Sequence, residues 1–85
     1  MNTEKIQLTF KGKLEVLMVA QITRIFGTYN INIIDLQMDN INYDSGSLIV
    51  IFNASSTTDE IDSFWNEIKQ ISKDLHLEYS NKYLT

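Results

Sequence analysis

Three groups of residues in this 85-residue chain have types and spacings that chemistry could use. Asp35, Gln37 and Asp39 alternate, so in an extended strand they project from one face. Paired carboxylates can divide acid and base roles, but that work needs a nucleophile, a metal cluster or a pocket beside them. No such signal joins them, and the reading is a solvated sheet face whose charges discourage edge-to-edge aggregation. Asn40-x-Asn42-x-Asp44-Ser45-Gly46 opens like a calcium loop. That loop requires Gly at its sixth position and a bidentate Glu at its twelfth, where this chain has Ser45 and Ile51. A polar hairpin turn is the expectation, and no metal site. His76, the single histidine, has no Ser or Cys partner in a recognisable arrangement and enters no triad. A solvent-facing place near a helix C-terminus suits it.

Composition narrows the classes further. The chain carries a formal net charge of −4, and its basic residues are scattered, with Lys5, Lys11 and Lys13 the nearest to a cluster. That balance gives no general attraction to phosphate backbones or anionic lipid, so neither nucleic acid nor membrane is an expected partner. Phe64 and Trp65 lack a basic groove beside them and read as core or core-edge residues, not a stacking platform. No apolar run approaches the ~20 residues that span a bilayer, and Met1-Asn2-Thr3-Glu4 is unlike a signal peptide. A cytoplasmic protein is expected. There is no cysteine, which excludes disulfides and cysteine-based zinc sites, and no cofactor is called for. A domain of this size buries only roughly 60–65% of its unfolded surface, so self-association is the ordinary source of extra stability.

The elements that position these residues follow from periodicity. Ile6, Leu8 and Phe10 alternate with polar residues across Lys5–Phe10, as in a half-buried strand. From Glu15 to Phe26 the period becomes helical, with Met18, Ile22, Ile25 and Phe26 on one face and Tyr29 a turn later. Gly27 and Asn30 punctuate its end. A second strand spans Ile33–Met38, with Ile34, Leu36 and Met38 on one face, and a turn around Asp44-Ser45-Gly46 leads into the apolar run Leu48–Phe52. Thr57 and Glu60 have the spacing of a capping box, opening a helix whose inner face is Ile61, Phe64, Ile68, Ile71 and Leu75. A last strand lies around Leu77-Glu78-Tyr79. The order β-α-β-β-α-β, in one domain over residues 1–85, predicts an α+β ferredoxin-like fold. Its four-stranded antiparallel sheet has order 4-1-3-2, with both helices on one face.

Within that frame three stretches carry a family likeness. Leu8-Thr9-Phe10-Lys11-Gly12, a helix containing Ala20, Ile22, Thr23 and Ile25, and Tyr29-Asn30-Ile31-Asn32-Ile33-Ile34-Asp35-Leu36 together resemble ACT domains. The likeness is greatest to the N-terminal ACT domain of bacterial phosphoserine phosphatases and related amino-acid-responsive regulators. It covers the first half of the chain in detail and the second half through element order. It implies an allosteric regulatory domain without catalysis of its own, linked to amino-acid metabolism and first to serine biosynthesis. Such a domain acts within a parent enzyme or on a separate one.

In the family the turn after the first strand reads Gly-x-Asp-x-Pro-Gly, and its helix-terminal amides hold an amino acid's carboxylate. An Asn at the start of the second strand binds the same ligand across a dimer interface. Gly12 and Asn32 match those positions. The ligand-binding set the resemblance implies is therefore Gly12, Leu14, Glu15, Asn32 and Ile33, in a homodimer. Leu14 stands where the family has Asp, Val16 where it has Pro, and Leu17 where it has the second Gly. Losing Pro and Gly removes the fixed turn and the room for a ligand to approach backbone. Val16, Leu17 and Val19 are surplus to the inner helix face and read as a self-association surface. Two functions stay open: an amino-acid-binding regulatory dimer, and a ligand-less dimerisation or docking module on the same fold.

Overall fold

The computed structural model describes residues 3–42, 45–55 and 61–84. Its elements run β1 (Thr3–Gly12), α1 (Val16–Thr28), β2 (Ile33–Asn42), β3 (Ser45–Ser55), α2 (Ile61–Asp74) and β4 (Glu78–Tyr83). The sheet is antiparallel with order β2-β3-β1-β4, which is the expected 4-1-3-2 read from the other edge. Each strand extends two to four residues beyond at least one end of the periodic core that announced it, because ladder hydrogen bonds continue where side-chain alternation stops. Thr57, Glu60 and Asp44, read as a capping box and a turn, lie outside the described residues.

The inward alternation of β1 is matched across β3: Ile6 faces Phe52, Leu8 faces Val50 and Phe10 faces Leu48. Residues directly opposite share a sheet face, so these six form one buried apolar layer. Ile22, Ile25 and Phe26 of α1 and Phe64 and Ile68 of α2 close over it. Four aromatic rings meet at the centre. Phe64 makes edge contacts with Phe26 (5.1 Å between centroids), Phe52 (5.7 Å) and Tyr29 (6.0 Å), and Phe26 meets Phe52 at 5.0 Å. Ser72 is the one buried polar side chain among the described residues, and its hydroxyl donates to the Ile68 carbonyl at 2.8 Å. Val19, read as surplus to the inner face, instead packs against the core.

Both helices stop in the same way. The Asn30 and Ile31 amides donate to the Gly27 and Phe26 carbonyls, and those of His76 and Leu77 to Lys73 and Ser72. This paired pattern is the Schellman motif, which places its penultimate residue in left-handed backbone. Asn30 (φ 56°) and His76 (φ 57°) occupy those positions. Asn30 thus punctuates α1 as expected, whereas Gly27 lies inside the last helical turn.

Leu36 faces Val50 and Met38 faces Leu48, so both lie on the helix-covered side of the sheet. They nevertheless remain 43% and 38% exposed, and Ile34, at a bulge between Ile33 and Asp35, is 48% exposed. β2 is an outer strand, and α1 leaves this apolar row only partly covered.

Candidate functional site

The turn from Gly12 to Glu15 joins β1 to α1 at one end of the sheet. Gly12 has φ 151°, a conformation residues with a side chain rarely adopt. A Cβ there would lie 2.7 Å from Leu77 Cδ2 and 3.3 Å from the His76 carbonyl oxygen. The close approach that only glycine permits is therefore already made by the turn between α2 and β4. Gly12→Ala is expected to cost roughly 1–3 kcal/mol through backbone strain and displacement of Leu77, measured by chemical denaturation of both chains.

Leu14 is half-buried and packs against the core, so its side chain braces the turn. Glu15 is exposed and stands at the N-cap of α1, its carbonyl accepting from the Met18 and Val19 amides at 2.9 and 3.2 Å. No side chain caps this helix and no acidic residue lies in its first turn. Its positive end is thus presented without a first-turn carboxylate to offset it. Val16 and Leu17, at the start of α1, are 82% and 76% exposed.

Asn32 and Ile33 belong to the other end. Asn32 is exposed, while Ile33 packs against the core. Register measures the separation. Ile33 faces Phe52, which faces Ile6 on β1, whereas Gly12 faces Gly46, which faces Asn40 on β2. Six strand positions, roughly 20 Å at strand rise, divide the levels of Ile6 and Gly12. A single chain brings Gly12, Leu14 and Glu15 together and keeps Asn32 and Ile33 away from them.

Asp35, Gln37 and Asp39 are exposed on the sheet face away from the helices. The Asp35 carboxylate accepts from the Leu36 amide at 3.0 Å and the Gln37 side-chain amide at 3.4 Å. Among the described residues no three His, Asp or Glu side chains are grouped to hold a metal ion. His76 is exposed and serves the end of α2. Phe64 is fully buried and Trp65 lies at the core edge. Residue types alone did not single out Glu4, which continues the inward row of Ile6, Leu8 and Phe10 into a cavity at the start of β1.

The same arrangement of strands and helices occurs in solved proteins. An ACT domain protein from Streptococcus pneumoniae superposes with a TM-score of 0.73 at 17% identity, over 96% of this chain and 91% of that one. A presumptive glycine cleavage system transcriptional repressor gives 0.81 at 10% identity, over the whole of this chain and 49% of its own. A formyltetrahydrofolate deformylase from Burkholderia mallei gives 0.77 at 14% identity, over 94% of this chain and 28% of its own. The chain thus spans nearly all of the first protein, about half of the second and little more than a quarter of the third. At these identities the likeness establishes the ferredoxin-like fold shared with an ACT domain protein. No protein-family model matches the chain, and no curated protein does. No helix among the described residues is long and apolar enough to cross a membrane.

Proposed function

We propose that the chain is a non-catalytic, ACT-type regulatory domain that works as a homodimer joined at the outer edge of β2. A small amino acid is held where the Gly12–Glu15 turn of one copy meets Asn32 of the partner subunit. The observation that carries this reading is the register. The two halves of the implied site lie at opposite ends of one sheet, and a two-fold axis normal to the sheet exchanges those ends. Antiparallel pairing of β2 with its copy extends the sheet to eight strands. It also places Asn32 of the partner subunit toward the exposed N-terminus of α1.

Side chains favour one register for that pairing. Centred on Leu36, it sets Leu36 against its copy, Met38 against Ile34, and Gln37 against Asp35. Centred on Gln37, it sets Asp35 against Asp39, and like charges directly opposite are destabilising. The Leu36-centred register also covers the partly exposed Ile34, Leu36 and Met38.

Ligand acts by favouring one dimer arrangement over another, which requires differential affinity for the two. The output is control of an enzyme of amino-acid metabolism, fused or separate, with a phosphoserine phosphatase as the parent the sequence likeness suggests. The presence of an ACT domain protein and a presumptive glycine-cleavage repressor among the structural neighbours supports a regulatory role. A thermal-shift screen against the common amino acids tests the binding half. Ligand at a hundred times its dissociation constant adds about 2.7 kcal/mol of stability.

A second reading is favoured by the turn itself. Leu77 fills the space beside Gly12, Leu14 packs inward, and Val16 and Leu17 stand exposed. These features suit a dimerisation or docking module without a ligand. A well-folded dimer that no amino acid stabilises selects this reading.

A further inference from the structure

We propose that a cavity at the end of β1 remote from Gly12 binds a small organic cation, an ammonium group carried on a short apolar body. The site needs one chain only and stands independently of the amino-acid reading.

β1 carries a carboxylate where its pattern calls for an apolar side chain. Inward positions on β1 alternate, so the row of Phe10, Leu8 and Ile6 continues to Glu4, a carboxylate on the helix-covered face of a central strand. Its neighbour across the ladder is Ala54, which is buried and too small to fill the space. A cavity of about 220 Å³ results, with Glu4 half-buried at its wall. Ile6, Ala54 and Ile61 supply an apolar floor. A second carboxylate, Asp62, enters from the first turn of α2.

Two aromatic side chains complete the lining. Trp65 is braced by ring contacts with Phe64 at 5.2 Å and Phe52 at 6.2 Å, which makes it a fixed wall. Tyr83, directly across the ladder from Ile6, is the more open one. Carboxylates and aromatic rings around an apolar floor are complementary to an alkylammonium ion. The charge is met by the carboxylates and by the ring quadrupole, and the alkyl part by the floor. The chain's net charge of −4 further favours cations near its surface. An α-amino acid carries its own carboxylate, which Glu4 and Asp62 repel. The class is therefore simple amines, and the site differs in chemistry as well as place from the one at Gly12.

Trp65 is the only tryptophan, so tryptophan emission comes from the wall of this cavity. The test is a titration of the full chain with n-butylammonium chloride at constant ionic strength. The expected result is a saturable change in emission that neither 1-butanol nor sodium butyrate produces. Glu4→Gln is expected to weaken the response about tenfold, the scale of one hydrogen bond to a charged group. Asp62→Asn, on an exposed helix position, gives a second reading of the same loss if the strand variant does not fold. A non-saturating response, an equal response to 1-butanol, or unchanged affinity in Asp62→Asn and in folded Glu4→Gln overturns the proposal.

Discussion

Leu36→Lys is expected to convert the proposed dimer to a monomer while leaving the fold intact. Leu36 is already 43% exposed in the single chain, so a lysine there can reach solvent without disturbing the core. In the Leu36-centred pairing the two copies of this residue face each other across the two-fold axis. The substitution removes an apolar contact and sets two like charges opposite, the device natural edge strands use against pairing. Sedimentation velocity reads the change in mass, and far-UV circular dichroism reads the fold. Gln37→Lys distinguishes the registers. Facing Asp35 of the partner subunit, it strengthens the dimer by about 0.2–1 kcal/mol for each of two symmetric pairs. In the Gln37-centred register the same lysine meets its own copy and weakens it.

Phe64→Ala carries the largest expected cost to the fold itself. Phe64 is fully buried and touches Phe26, Tyr29, Phe52 and Trp65, so its removal opens a cavity where both helices meet the sheet. Phe-to-Ala changes in such places cost about 3–5 kcal/mol. For a domain of this length each kcal/mol lowers Tm by about 4–8 °C. Since small domains are marginally stable, the variant is expected to be largely unfolded near physiological temperature. Phe64→Leu, which keeps much of the volume, should fall well short of that loss. Equal melting temperatures for Phe64→Ala and the parent chain would contradict the packing described.

Much of this architecture was legible in the chain because short-range pattern and long-range packing agree. Ile6, Leu8 and Phe10 announce a strand by alternation, and the helical spacing of Phe64, Ile68 and Ile71 announces a face, whatever they later touch. What escaped notice depends on a third partner. Val19 looked surplus beside Val16 and Leu17, yet it packs on the core, because the width of a helix's buried stripe is set by what lies beneath it. Gly12 permits a close approach by Leu77, sixty-five positions along the chain, a contact that no short-range pattern announces. His76 holds a left-handed position that glycine usually fills, and its residue type gives no sign of that.

The candidate site was legible only in part for a related reason. The likeness to ACT domains named Gly12, Leu14, Glu15, Asn32 and Ile33 together, as neighbours of one ligand. In a β-α-β crossover the end of β1 and the start of β2 fall at opposite ends of the sheet, and the pairing of both strands with β3 fixes the distance between them. Register makes the second copy a requirement of the amino-acid reading.

Sedimentation equilibrium of the unmodified chain over a range of concentrations tests that requirement most directly. The expected result is a species of twice the 9.9 kDa chain mass, dissociating only on dilution. A single species of 9.9 kDa at every concentration would contradict it, since one copy holds the two halves of the site at opposite ends of its sheet.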